Sequence, residues 1–191
     1  TVTNFSRIKN LYIYHLGYTT TIIAFYLFPF LFLKERSLFE TIKKFLNFKW
    51  FYLILAIPII YILYLYFNIE FRSYTIDNYW IGLGVVHKLS NILFDDLLLK
   101  SVFTYITIFL SWIVICLYIE NKVDFLILSF FYIMSLFLWP LMQEYFDPII
   151  IILCLIIFKP KINFNHNNIF FLFLYFALFL TIANVYYLNM V

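Results

Sequence analysis

Phe125–Phe158 reads FLILSFFYIMSLFLWPLMQEYFDPIIIILCLIIF, and whether this stretch folds as one element or two decides the architecture. Two hydrocarbon runs flank Trp139–Pro148, WPLMQEYFDP, which carries two carboxylates, an amide and a tyrosine hydroxyl between two prolines. A helix needs about 20 mostly apolar residues to cross a bilayer, so the first run predicts a span over Phe125–Met142. The second, Pro148–Phe158, is short. Its ten residues from Ile149 make roughly 15 Å of helix. Such a span either crosses with help from flanking residues, a snorkelling Lys159 and local thinning, or is re-entrant. If it crosses, the Glu144–Pro148 turn sits at or below the outer headgroup level.

Outward from this stretch the same test marks four more spans: Leu11–Leu33, Trp50–Phe67, Leu97–Ile119 and Ile169–Leu188. Composition agrees, with 65% hydrophobic residues, 12% charged residues and mean hydropathy +0.96. A soluble domain has roughly twice that charge. The expected fold is all-α: a polytopic helical membrane protein of about six transmembrane helices, one of them short or re-entrant. No repeat, heptad pattern or linker divides the chain, so residues 1–191 form one domain. The chain begins at Thr1 without a Met, and it is expected to be the C-terminal portion of a longer membrane protein. The skew towards Phe, Tyr, Ile, Asn and Lys fits an A/T-rich genome and says little about function. Cys116 and Cys154 fall in apolar runs and read as buried, inert thiols.

Lys and Arg favour the cytoplasmic side. Lys34–Lys49, KERSLFETIKKFLNFK, carries five of the thirteen basic residues. With six crossings, Lys122, Lys159 and Lys161 join them inside, while Arg7, Lys9, Arg72, Lys88 and Lys100 lie outside. A fifth segment that failed to cross would erase this bias. The basic loop is amphipathic and is expected to rest on anionic headgroups.

This orientation puts two polar segments on the outer face. One is the WPLMQEYFDP turn, with Glu144, Tyr145 and Asp147. The other is Asn68–Lys88, NIEFRSYTIDNYWIGLGVVHK, with Glu70, Arg72, Asp77, His87 and Lys88, followed by an interfacial stretch Leu89–Asp96. Its Ile81–Gly84 core supplies backbone freedom. A pocket between the segments suits a molecule with a polar head and an apolar tail.

Each feature also has a plain structural reading. Asp147-Pro148 is a good helix start, with Asp as N-cap and Pro at the first position. Asp95-Asp96 would cap the third span. Glu144 is harder to explain by capping, because a carboxylate near membrane depth is costly and calls for a partner or a task. Asn184 suits a bond to a neighbouring helix. Gly82-Leu83-Gly84 is no dinucleotide fingerprint, since no strand precedes it. His15, His87 and His166 lie on separate segments, which excludes a three-histidine metal site. No chain of buried acids and bases, ion filter or nucleophile triad is visible.

The turn and its setting resemble the C-terminal part of polytopic glycosyltransferases of the GT-C architecture, which use lipid-phosphate-linked sugars. The dolichyl-phosphate-glucose-dependent glucosyltransferases are the most similar group. Members carry a Glu-Phe-Arg-Tyr-Phe-Ile-x-Pro type motif near a late span on the non-cytoplasmic side. Glu144-Tyr145-Phe146-Asp147-Pro148, after Leu141-Met142, echoes its Tyr-Phe and its Pro. The motif's Arg is replaced by Glu144 and the spacing to Pro148 is shorter, so a phosphate contact would pass to Arg72 or Lys88.

The resemblance implies a membrane glycosyltransferase, or its carrier-binding part, using a polyprenyl-phosphate-linked donor at the non-cytoplasmic face. Arg72, His87 and Lys88 would lie near the phosphate, with Glu144, Tyr145, Asp147 and Asp77 on the sugar side. The catalytic acid of such enzymes lies in an early external loop, so none is assigned here. A divalent metal is compatible with the chemistry, but no ligand set for one is visible. The expected partners are membrane lipids, a lipid-linked sugar and a glycan or lipid acceptor, and no nucleic acid. A bacterial inner membrane is the expected location, with the endoplasmic reticulum membrane second. The alternative is a non-enzymatic accessory subunit, or a transporter or flippase for lipid-linked saccharides.

Overall fold

The computed structural model describes residues 11–34, 37–49, 51–68, 83–138, 141–158, 162 and 165–188. Within them the chain is all-helical. In order come α1 (His15–Leu31), α2 (Leu38–Leu46), α3 (Phe51–Phe67), α4 (Gly84–Leu93), α5 (Leu97–Tyr118) and α6 (Lys122–Ser135). A 3-10 turn (Gln143–Tyr145) leads into α7 (Asp147–Ile152), which continues as a π-helical turn over Leu153–Ile157, and α8 (His166–Leu188) follows. Extended pairing among the described residues is confined to one isolated antiparallel bridge, between Lys34 and Ile162.

α1 is the central element, with fourteen of its seventeen residues buried. It packs most extensively on α5 and also touches α4, α6, α7 and α8. Its sequence, HLGYTTTIIAFYLFPFL, places small residues early in the helix, which lets neighbours approach closely. A Cβ on Gly17 would lie 2.7 Å from Ile108 Cδ1 and 3.2 Å from Tyr61 Oη. That closeness lets Tyr61 of α3 serve the open amino end of α1. Its hydroxyl accepts from Gly17 N–H (2.8 Å) and donates to the Ile13 carbonyl (3.0 Å), replacing partners that the first turn of a helix lacks. Nearby, His15 Nδ1–H donates to the Ser135 carbonyl at the end of α6 (3.1 Å). On α8, Tyr175 donates to the Phe25 carbonyl (3.0 Å). The aromatic polar groups of the surrounding helices thus close on the backbone of the enclosed one.

The opposite end of the bundle is organised by Lys34. Its ammonium donates to the carbonyls of Leu117 (2.9 Å) and Tyr118 (2.8 Å), at the carboxyl end of α5. It also pairs with Glu120 (3.3 Å), with its side chain only 3% exposed. A cation at a helix carboxyl end meets both the unpaired carbonyls and the negative end of the helix dipole. The basic segment was expected to lie at headgroups as a whole, and this residue corrects that reading. Lys34 is turned into the protein because the end of α5 presents two carbonyls there and Glu120, just beyond it, a carboxylate. Lys43, Lys44 and Lys49, the other described basic residues of the segment, are exposed. Ser37 caps α2 by accepting from Glu40 N–H (3.2 Å), and none of the residues of α2 is buried.

Helix lengths differ from the six-span expectation. Among the described residues, one helix, Leu97–Tyr118, is long and apolar enough to cross a membrane. Leu38–Leu46 and Phe51–Phe67 reach that length and apolarity only as a pair bent by 90°, and His15–Leu31 is a shorter apolar helix. α6 stops at Ser135 rather than Met142, and the chain beyond it leaves the helix before the 3-10 turn. The stretch 125–158 is therefore two helices with a long break, and the break starts earlier than the apolar pattern implies.

The double role of Lys34 gives a measurable asymmetry. Lys34→Met should destabilise the chain by about 2–3 kcal/mol, since a hydrogen bond to a charged group contributes about 1.5–3 kcal/mol. Glu120→Gln, at a partly solvated carboxyl, should cost under about 1 kcal/mol. Equal losses in denaturant unfolding would show that the ion pair, not the carbonyl contacts, holds Lys34 in place.

Candidate functional site

α6 runs back along α1, so its carboxyl end reaches the amino end of α1, where Tyr12 N–H donates to the Leu136 carbonyl (3.0 Å). The chain then returns towards the middle of the bundle. Leu141 is buried, and its carbonyl accepts from Leu83 N–H (2.6 Å). Gln143 and Asp147 both meet Tyr26 of α1. Tyr26 lies eleven residues beyond His15, about 16 Å along the helix axis. The turn that the sequence places near the outer surface thus lies about two-thirds of the way down α1. α7 with its π-helical turn needs to cover only the remaining depth, which it does: Phe158 packs edge-on to Tyr118 at 5.9 Å, beside the Lys34 cluster. The apolar helix after Pro148 is short because it begins inside the bundle.

α4 enters the same region from the other polar segment. Leu83 (φ 61°) and Gly84 (φ 74°) are both left-handed, a conformation that a leucine adopts at a cost of about 1–2 kcal/mol. Leu83 is buried, and its N–H bond to Leu141 and side-chain packing hold it there. A Cβ on Gly84 would lie 2.8 Å from Ile22 Cγ1, so conformation and space both require glycine. From there α4 runs antiparallel to α1. His87 meets the Tyr18 ring edge-on at 5.9 Å.

Gln143 joins the two segments. Val85 N–H, in the first turn of α4, donates to Gln143 Oε1 (3.2 Å). Gln143 Nε2–H donates to the Tyr26 hydroxyl (2.8 Å), and Tyr26 O–H donates to Asp147 Oδ1. Each member has one assignment. A backbone N–H can only donate, which fixes the amide's orientation, and the amide then makes Tyr26 the donor to the carboxyl. The result is a directed relay from a helix amino end to a carboxyl.

The expected site residues distribute unevenly around this relay. Asp147 is half-buried and belongs to it. The expectation that Asp147 serves as the N-cap is corrected: it is the first residue of α7, the N-cap position falls to Phe146, and the Asp147 carboxyl accepts from Tyr26. Glu144 is exposed on the 3-10 turn, and Tyr145 is the last residue of that turn. His87 does not face an open pocket. It is buried in α4, its Nε2 is 3.1 Å from Asn91 Nδ2 and its carbonyl accepts from Ser90 Oγ (2.7 Å), so direct contact with a phosphate is not its role in this conformation. Lys88 follows it, half-buried. Arg72 and Asp77 lie outside the described residues. Asp96 caps α5 by accepting from Leu99 N–H (3.4 Å), as expected, and Asn184 is exposed. No group of three or more His, Cys, Asp or Glu that could hold a metal ion occurs among the described residues.

Tyr26 is the residue that the sequence hides. It is one of seventeen tyrosines, in a run with no polar periodicity. Gln143 carried a weak signal, as an uncharged amide between two hydrocarbon runs.

Gln143→Leu should leave Val85 N–H and the Tyr26 hydroxyl short of partners, costing about 1–3 kcal/mol. Amide exchange at Val85 should accelerate. Because both contacts belong to one relay, Gln143→Leu combined with Tyr26→Phe should cost clearly less than the sum of the single changes. Strict additivity in thermal unfolding would show that the contacts act separately. No family model, curated protein or solved structure matches the chain.

Proposed function

We propose that the chain is a polytopic helical membrane protein that receives a polar head carried on a lipid at the Gln143–Asp147 turn. In this reading it acts as the carrier-binding part of a glycosyltransferase using a polyprenyl-phosphate-linked sugar. The membrane setting is supported by surface chemistry. Large apolar side chains are exposed all around the bundle, among them Ile60 (66%), Ile156 (76%) and Phe173 (70%). Water would oppose such contiguous exposure, and lipid tails would not. Non-helical backbone at membrane depth is tolerated where protein encloses it, as it does around Leu83 and Leu141.

The observation that carries the functional reading is the meeting of the two polar segments at one junction. It combines an exposed Glu144, a half-buried Asp147 and the amino end of α4, walled by apolar helices. Carboxyl groups suit the hydroxyls of a sugar, and the flanking aliphatic and aromatic surfaces suit a polyprenyl chain. In this reading Lys88 of α4, and Arg72 from the same polar stretch of the sequence, would serve a linking phosphate.

The test is sugar transfer from a polyprenyl-phosphate-linked donor in membranes containing the full-length protein. Asp147→Asn keeps an oxygen that accepts from Tyr26, so the fold survives while the acid is lost. It should lower transfer at least tenfold, and Glu144→Gln should raise the donor concentration required. Unchanged transfer in both variants, with normal membrane insertion, would remove the assignment. Movement of a lipid-linked sugar across sealed vesicles without chemical change would favour the transport reading. Half-length helices meeting inside the bundle are also a feature of transporter sites.

A further inference from the structure

A second site lies at the Lys34 end of the bundle, where α2 crosses the ends of α3 and α5. The two helices of the α2–α3 pair meet at 90°, and beneath α2 they enclose, with α5, a cavity of about 290 Å³. Its walls are apolar, built chiefly from Phe45, Phe48, Ile54, Ile57, Trp112 and Ile115. Trp112 Nε1–H, a polar atom of the floor, already donates to the Ile54 carbonyl (2.9 Å). The interior therefore suits hydrocarbon rather than a polar ligand. Polar groups gather at one side, where Lys44 and Glu120 line the cavity.

Lys44 is exposed, with its ammonium 3.6 Å from one oxygen of Glu120, whose other oxygen is held by the buried Lys34. Two cations share one carboxylate, so the cluster keeps a net positive charge at the cavity edge. The adjacent Lys43 is exposed on the same helix. Along α2 the apolar residues Leu38, Phe39, Ile42, Phe45 and Leu46 recur at helical spacing, with Glu40, Thr41, Lys43 and Lys44 opposite. This is the pattern of a helix lying in a membrane interface. A volume near 290 Å³ is at the lower end for pockets that enclose a whole small molecule, about 300–1,000 Å³, and it suits a segment of chain.

We propose that this cavity holds one acyl chain of an anionic glycerophospholipid, with the lipid phosphate against Lys44. The proposal rests on the membrane reading above but is independent of the sugar-carrier reading. It makes α2 a clamp over a bound lipid, beside the Lys34 cluster.

Tryptophan quenching tests it directly. The full chain, with Trp50, Trp80 and Trp139 changed to Phe so that Trp112 alone reports, is reconstituted into phosphatidylcholine vesicles. These contain a minor fraction of acyl-brominated phosphatidylglycerol or acyl-brominated phosphatidylcholine. The anionic lipid should quench Trp112 at about fivefold lower mole fraction, the weight of one basic side chain near an anionic surface. Lys44→Gln should abolish that preference. Cys116→Phe, which fills the cavity, should abolish it too, and Ile57→Phe serves the same purpose if the first variant does not fold. Equal quenching by both lipids, or a preference that survives Lys44→Gln, would overturn the site and leave only general lipid contact. Alkaline carbonate extraction of the same vesicles separates the two premises. A chain released by carbonate defeats the membrane reading, whereas a retained chain with equal quenching defeats the lipid site alone.

Discussion

α1 is enclosed by protein along most of its length, so its polar groups have to be met by its neighbours rather than by solvent. A buried donor or acceptor without a partner costs about 1–3 kcal/mol, and α1 brings several: the open N–H groups of its first turn, the Tyr26 hydroxyl and the histidine at its start. Three of them are answered from different elements, while the buried Thr19 hydroxyl is not met among the described residues. Tyr61 of α3 meets Gly17 N–H, the Ser135 carbonyl of α6 meets His15, and Gln143 and Asp147 meet Tyr26. These bonds are directional where hydrocarbon packing is not, so they set the register of the helices around α1. Apolar burial holds the bundle together, and the polar contacts decide which bundle it is.

The same requirement explains the break after α6. Segments that leave a helix inside an apolar bundle expose backbone N–H and C=O groups, and these must be paired at that depth. Leu83 and Leu141 pair with each other, and Gln143 supplies the acceptor for Val85. Neither polar segment could enter the bundle alone at acceptable cost. Together they satisfy one another, so they reach the same depth and put Asp147 where α1 offers a hydroxyl. The left-handed pair Leu83–Gly84 is the backbone cost of turning α4 away again.

How much of this could be read in the residues depends on the kind of information involved. Apolar runs mark helices, and they located α1, α3, α5 and α8 to within a few residues, because removal of hydrocarbon from water acts on composition. They overran α6 by seven residues, since Leu136–Met142 is as apolar as the helix before it and its departure is decided by partners far along the chain. The ten-residue length of the apolar run after Pro148 was visible, and with it a short helix following the turn. The depth of the turn was not, because it is set by Tyr26, which looks like any other aromatic in that run. Lys34 was misplaced for a related reason. A lysine at the end of a span resembles an orientation signal unless one knows that the carboxyl end of another helix is waiting for it. Asp147-Pro148 shows the limit of local rules: capping chemistry was correct in type for Asp96, and a distant hydroxyl displaced it at Asp147.

The Lys34 cluster and the Asp147 turn handle charge in opposite ways, and this bears on what each can do. Around Lys34 the ion is embedded: carbonyls, a carboxylate and a ring (Tyr118, with its centroid 5.2 Å from the ammonium) surround it, so the charge serves the helix end and is withdrawn from ligands. Around Asp147 the relay runs towards the carboxyl, and Asp147 accepts from Tyr26 whether it is ionised or neutral, because one oxygen suffices. Asp147 therefore keeps its bond to Tyr26 in either protonation state, while the chemistry open to that residue changes with the proton. A position whose structural duty survives either protonation state is free to change that state when a ligand arrives. That freedom, rather than mere depth, distinguishes Asp147 from the buried Lys34 and makes the turn the better candidate for work on a bound head group.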